Sequence, residues 1–185
     1  MGLGTDHVPA VHDWNPGSTL LVVGPSRSGR SSFLNSVAGQ FHDTPPLRCR
    51  STTAGELDAL FTEAEPGTTV LIDDADSLPA PVIQRLGALW QPGTGTSGVG
   101  SAGVVGKELR LIVTARLSDG LPSLFPPLMS WRHTADTLLL RPRKAFDGDL
   151  FGASLSGMPL GGSPGRGYWI HRGMAELVQT PQWDG

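Results

Sequence analysis

Short runs of uninterrupted apolar residues alternate along this chain with stretches whose apolar positions recur at helical spacing. The runs Thr19 to Val23, Thr68 to Ile72, Leu109 to Thr114 and Thr137 to Leu140, with a shorter one around Leu47 to Arg50, carry no polar alternation. Strands of that kind are covered on both faces, as in a parallel sheet. Between them, Phe33, Leu34 and Val37 mark one helix. Leu57, Leu60, Phe61 and Ala64 mark a second at i, i+3, i+4, i+7, announced by the capping-box spacing of Thr53 and Glu56 and ended by Pro66-Gly67. Val82, Ile83, Leu86, Leu89 and Trp90 mark a third, starting within Ser77 to Pro81, and Pro122 to Trp131 predicts a short helix interrupted by proline. Tyr168 to His171 and Ala175 to Gln179 alternate around Arg172-Gly173, which predicts a closing hairpin. Strands alternating with helices predict an α/β fold, a mostly parallel sheet with helices on both faces and a C-terminal β-hairpin.

Composition sets the boundaries of this domain. Residues 1–18 read as a loose entry with Gly2, Gly4, Pro9, Pro16 and Gly17, residues 19–180 as the domain, and residues 181–185 as a tail. Residues 91–106 are rich in glycine, serine and threonine and read as a flexible loop. They contain the spacing G-x-G-x-x-G twice, but follow a helix and open no strand-helix-strand unit, so neither match reads as a dinucleotide fingerprint. The 185 residues suit a single domain, and 38% apolar content is enough for a core despite 25 glycines and 16 prolines. A net charge of −3 gives no basic field for nucleic acid, so direct DNA binding is expected to be weak. The lone Cys49 excludes an internal disulfide, and His7, His12, His42, His133 and His171 show no metal-ligand spacing. No apolar run approaches the ~20 residues that span a bilayer, and no signal peptide is visible, so a soluble, cytoplasmic domain is expected.

The candidate chemistry begins where the first long strand ends. Gly24-Pro25-Ser26-Arg27-Ser28-Gly29-Arg30-Ser31-Ser32 fits the phosphate-loop pattern G-x-x-x-x-G-K-[ST] at every fixed position except Arg30, which replaces lysine. Glycines there let backbone N–H groups converge on a phosphate, and the following helix adds its positive end. Such a loop works with an acidic residue at the end of a neighbouring buried strand. Val70-Leu71-Ile72-Asp73-Asp74 supplies one: Asp73 as the carboxylate on the Mg²⁺ side with Ser31, Asp74 where a catalytic base stands, and Asp74 or Asp76 as helix caps. Thr114, ending the next strand, is placed to sense a terminal phosphate. Arg141, Arg143 and Lys144 read as a solvated basic cluster.

Taken together, the glycine loop, Thr69 to Asp74, Leu111 to Arg116, Leu138 to Pro142, Asp147 to Gly152 and Pro164 to Trp169 resemble the FtsK/SpoIIIE-type motor ATPase domains. The Pro164-Gly165-Arg166-Gly167 ending resembles most the C-terminal ATPase domains of EccC, the type VII secretion motor. The resemblance covers about Asn15 to Gln179. It implies a RecA-like P-loop sheet binding ATP and Mg²⁺ through Gly24, Gly29, Arg30, Ser31, Asp73, Asp74 and Thr114. It also implies other ATPase domains or subunits of a motor as partners, a secreted protein or peptide as cargo, and a membrane-associated complex as setting. Three positions depart from the pattern of active translocases: Arg30 for lysine, Asp74 for glutamate and Ala115 for glutamine. A broad guanidinium and a shortened carboxylate predict binding with weak or absent hydrolysis. An active ATP-driven translocase and a nucleotide-free interaction module on the same fold are the alternatives.

Overall fold

The computed structural model describes residues 2–3, 9–10, 15, 17–41, 44–50, 52–90 and 108–180. The strands, in chain order, are β1 (Gly2–Leu3), β2 (Pro9–Ala10), β3 (Thr19–Gly24), β4 (Leu47–Cys49), β5 (Thr69–Ile72), β6 (Arg110–Arg116), β7 (Asp136–Leu140), β8 (Arg166–His171) and β9 (Met174–Gln179). The helices are α1 (Arg30–Ala38), α2 (Ala54–Glu63), α3 (Ala80–Leu89), α4 (Leu121–Leu124) and α5 (Pro127–Trp131). Among the described residues, the nine strands form one sheet in the order β2-β1-β9-β8-β7-β3-β6-β5-β4. From β4 to β7 every pairing is parallel, and β8 and β9 add to β7 antiparallel.

That order decides which face each helix covers. The step from β3 out to β4 crosses the sheet in one direction, and the steps β4 to β5, β5 to β6 and β6 to β7 all return. Right-handed crossovers therefore put α1 on one face and α2 to α5 on the other. The core divides accordingly. Phe33 and Leu34 of α1 pack with Leu20, Val22, Leu71, Ile112, Leu138 and Leu140. Leu57 and Phe61 of α2, Val82 and Leu86 of α3, and Leu121, Leu128 and Trp131 beyond them pack with Leu21, Val23, Val70, Ile72, Leu111 and Val113. Adjacent residues of β3 thus serve opposite faces, which is why these strands read as continuous apolar runs. The buried indoles are satisfied: Trp90 donates to Thr19 Oγ1 at 2.6 Å and Trp131 to the Trp90 carbonyl at 3.2 Å.

Most predicted elements appear with small shifts. The capping box forms, with Thr53 Oγ1 accepting from Glu56 N at 3.2 Å and Glu56 Oε2 accepting from Thr53 N at 3.3 Å. The N–H of Thr52, then its hydroxyl, hold the Glu56 carboxyl below its ordinary pKa of 4.5. The third helix starts at Ala80, inside the expected range. A 3-10 turn at Ala75–Ser77 comes first, and Pro79, with extended ψ, then caps α3. The proline-interrupted helix is two helices, because Pro126 and Pro127 cannot donate back to the preceding turn and Phe125 leaves helical geometry. Asp147-Gly148-Asp149 lies in a 3-10 turn, Ala145–Phe151, rather than a loop. Within the segment read as a loose entry, β1 pairs antiparallel with β2 and β9. The glycine-rich segment 91–106 lies outside the described residues.

Candidate nucleotide site

Gly24 ends β3 and α1 begins at Arg30, so Pro25 to Gly29 form the connection at the carboxyl end of the parallel strands. Both fixed glycines are sterically required. A Cβ on Gly24 would lie 2.5 Å from Ser28 Oγ and 2.8 Å from the Leu140 carbonyl oxygen. Gly29 has φ 100°, and a Cβ there would lie 2.9 Å from Gly165 N. Arg27 is also left-handed, at φ 61°. Two loop carbonyls are held from outside: Arg141 Nη1 donates to Arg27 O at 3.1 Å and Gly165 N donates to Ser28 O at 2.8 Å. Pro25 and Ser28 are buried, while Ser26, Arg27, Ser31 and Ser32 are exposed. The buried Ser28 hydroxyl has no hydrogen-bond partner among the described residues.

The acidic strand reaches this loop through β6. The parallel register sets Val22 beside Thr114 and Ile72 beside Val113, so Asp73, just past the end of β5, comes level with Thr114 of β6, which lies between β5 and β3. Ser31 Oγ donates to Asp73 Oδ2 at 3.0 Å. Thr114, fully buried, donates to Asp73 Oδ1 at 2.5 Å and accepts from Asp74 N at 2.8 Å. Its hydroxyl is thus committed to orienting the Asp73-Asp74 pair rather than pointing at a terminal phosphate, as its sequence position had implied.

Arg30 and Asp74 meet directly. Arg30 Nη1 donates to Gly24 O at 3.0 Å, and its Nη2 lies 2.8 Å from Asp74 Oδ1. Asp74 is left-handed, with φ 47° and ψ 52°, and precedes the 3-10 turn without a side-chain capping bond. The expected capping role of Asp76 is absent too. Its Oδ1 accepts from Arg116 N at 2.8 Å and ties the turn to the end of β6. Arg141 leaves the expected solvated cluster to support the loop, and Gly165 joins it. Their only sequence signals were a basic residue after a strand and a Pro-Gly-Arg-Gly run.

The donor set suits a nucleotide with Mg²⁺. Two glycine positions leave room for backbone and nothing more, and Ser31 and Asp73 present a hydroxyl and a carboxylate side by side. No group of three or more His, Cys, Asp or Glu able to hold a metal occurs among the described residues. Among the described residues no all-protein cage occurs, and a carboxylate and a hydroxyl beside phosphate oxygens and water are how Mg²⁺ is usually held in phosphate-loop sites.

A parallel sheet with the glycine loop on a central strand and the acidic strand two places away defines the RecA-like P-loop NTPase fold. Solved structures agree. The chain matches the cytoplasmic domain of the type VII secretion ATPase EccC from Thermomonospora curvata at TM-score 0.71 and 17% identity, over 100% of its own length and 26% of that chain. It matches the cytoplasmic domain of EssC at TM-score 0.63 and 15% identity, over 98% of its own length and 43% of that chain. It matches ATPases 2 and 3 of EssC from Geobacillus thermodenitrificans at TM-score 0.51 and 14% identity, over 90% of its own length and 40% of that chain. The chain thus shares the fold of these ATPase domains, and spans about a quarter to under half of those proteins. No protein-family model and no curated protein matches the sequence.

Proposed function

We propose that this chain is a nucleotide-binding domain of a translocation or secretion motor, holding ATP with Mg²⁺ and hydrolysing it weakly or not at all. The observation that carries this reading is the 3.0 Å contact between Ser31 Oγ and Asp73 Oδ2 beside the Gly24–Ser31 loop. Gly24 to Ser32 would cradle the phosphates and Ser31 and Asp73 would hold the metal, which supplies charge neutralisation for the phosphate oxygens. Asp74 stands where a base would orient an attacking water, but Arg30 engages it, and its carboxylate is one methylene shorter than a glutamate.

In this reading residues 19–180 form the working domain, residues 1–18 its entry and residues 181–185 its tail. Its partners are other ATPase domains or subunits of the motor, with a secreted protein or peptide as cargo, on the cytoplasmic side of a membrane-associated complex. The net charge of −3 argues against tight duplex DNA binding by this domain alone.

Titration with a fluorescent ATP analogue, with and without Mg²⁺, tests the proposal. Saturable binding that Mg²⁺ tightens, with the Mg²⁺ effect lost in Asp73→Ala, is the expected result. No binding at millimolar nucleotide would replace it with a protein-interaction module on a P-loop fold. Robust phosphate release by the wild-type chain would replace it with an active translocase.

A further inference from the structure

We propose that Arg30 and Asp74 form an autoinhibitory lock on the phosphate loop, so that nucleotide phosphates compete with Asp74 for the Arg30 guanidinium. The inference rests on the nucleotide reading above and adds to it a device that regulates entry. A single side chain bridges the two halves of the site. Arg30 Nη1 is bound to the carbonyl of Gly24, the first loop residue, and Nη2 to the carboxylate that follows Asp73. Arg30 keeps only 11% of its side-chain surface exposed, whereas Asp74 keeps 50%. The guanidinium is therefore the more buried partner. Of the Asp74 carboxylate, Oδ1 is buried against Arg30 without a hydrogen bond of good geometry, so the pair is held by charge, and the exposed half of the side chain gives it a way out to solvent.

The backbone does not oppose release. Asp74 is left-handed, a conformation that non-glycine residues adopt at a cost, and neighbouring bonds maintain it. Thr114 Oγ1 accepts its N–H, and Ser77 N and Oγ donate to its carbonyl at 2.8 and 2.7 Å. Those bonds do not involve the Asp74 side chain, so the carboxylate can leave Arg30 while the backbone stays. A planar guanidinium donates two N–H bonds to the oxygens of a carboxylate or of a phosphate equally well. The lysine usual at this position is a compact point charge that cannot bridge in the same way.

Asparagine is the discriminating substitution at position 74. It tolerates the left-handed backbone as aspartate does, and removes only the charge. The full chain is titrated with a fluorescent ATP analogue as wild type, Asp74→Asn, Arg30→Met and the double variant. Asp74→Asn should bind about fivefold tighter than wild type, the upper range for a partly exposed ion pair. In the Arg30→Met background the same change should alter affinity by less than about twofold, because the lock is already gone. An Asp74→Asn gain that persists without Arg30 would mean plain repulsion between Asp74 and phosphate, and would overturn the lock. So would an unchanged affinity in Asp74→Asn alongside measurable wild-type binding. Failure of all four proteins to bind would remove the nucleotide reading itself. The pair is also checked without nucleotide: urea midpoints of the four proteins should show non-additive losses, and strictly additive losses would overturn the lock on their own.

Discussion

The two ends of the parallel strands treat backbone strain differently. Five non-glycine residues have positive φ among the described residues: Arg27, Asp74 and Arg141 lie at the carboxyl end with the glycine loop, Arg172 lies in the hairpin at the amino end, and Glu108 (φ 52°) lies just before β6, outside both groups. At the amino end, Arg172 (φ 49°) and Gly173 (φ 78°) fill the two-residue turn between β8 and β9. There positive φ is what the connection requires, since type I′ turns match the twist of the strands they join. The hydrogen bond between His171 Nδ1 and the Asp136 carboxylate of the neighbouring strand sits beside it. No tight hairpin demands it of the three at the carboxyl end. Arg27 is held by Arg141, Asp74 by Thr114 and Ser77, and Arg141 N by Arg166 O at 2.9 Å. Strain that the surroundings over-determine is a mark of a built site, whereas strain that a turn type demands is not.

The largest way to break this contrast is Gly24→Ala. Its Cβ would meet a backbone carbonyl and a buried hydroxyl, neither able to retreat far. Destabilisation of about 3 kcal/mol is expected, with loss of ATP-analogue binding. A urea midpoint within experimental error of wild type would show that the loop tolerates the close approach.

Next in size is turnover. Wild type should release phosphate slowly or not at all, and Arg30→Lys with Asp74→Glu together should exceed either single change by about tenfold. The bridge between these two residues gives that expectation a physical cause, because either single change leaves half of a mismatched pair. The double variant also carries a cost, since glutamate is less at ease than aspartate in the left-handed conformation of residue 74. Phosphate release by four proteins, with Asp73→Ala as the inactive control, measures it. No gain in the double variant would mean that the reaction lacks a group from a neighbouring subunit.

Thr114→Val sharpens the contrast more gently. It removes the hydroxyl that orients Asp73 and leaves Asp74 N without its acceptor in a buried place, at a cost of about 1–3 kcal/mol. Weaker Mg²⁺ dependence of nucleotide binding should accompany the lower urea midpoint. An unchanged Mg²⁺ dependence would confine Thr114 to stability.

What the sequence made legible follows from how local each signal was. The strand-loop-helix unit around Gly24 to Ser31 and the strand ending at Asp73 are contiguous, and apolar periodicity defines them without reference to any other segment. Their meeting followed from one inference, that a phosphate loop works with an acidic residue ending a neighbouring buried strand, and Ser31 does contact Asp73. Contacts between segments that share no motif were not legible. Arg141 supports Arg27 from 114 residues away, which requires knowing that β7 lies beside β3. Gly165 packs on Ser28 and Gly29 because β8 follows β7 in the sheet, and strand order across a sheet is not written in chain order. Asp76 looked like a cap because short polar residues before helices usually cap. Its actual partner, Arg116 N, is a strand end that only the fold brings near.

The smallest predicted effect compares one substitution at both ends. Arg172→Asn places the residue best suited to the first position of a type I′ turn where φ is already 49°, so stability should rise by about 0.5 kcal/mol. Arg141→Asn relieves a similar φ of 46°, but removes the guanidinium that holds the Arg27 carbonyl. A hydrogen bond of that kind contributes about 0.5–1.5 kcal/mol, enough to cancel or reverse the gain. The two variants should therefore move the urea midpoint in opposite directions, or leave only Arg172→Asn stabilised. Only Arg141→Asn should weaken binding of the ATP analogue, because only there does the strained residue support the loop. Equal gains in stability at both positions, with binding untouched, would show that Arg141 holds its conformation for the same local reason as Arg172.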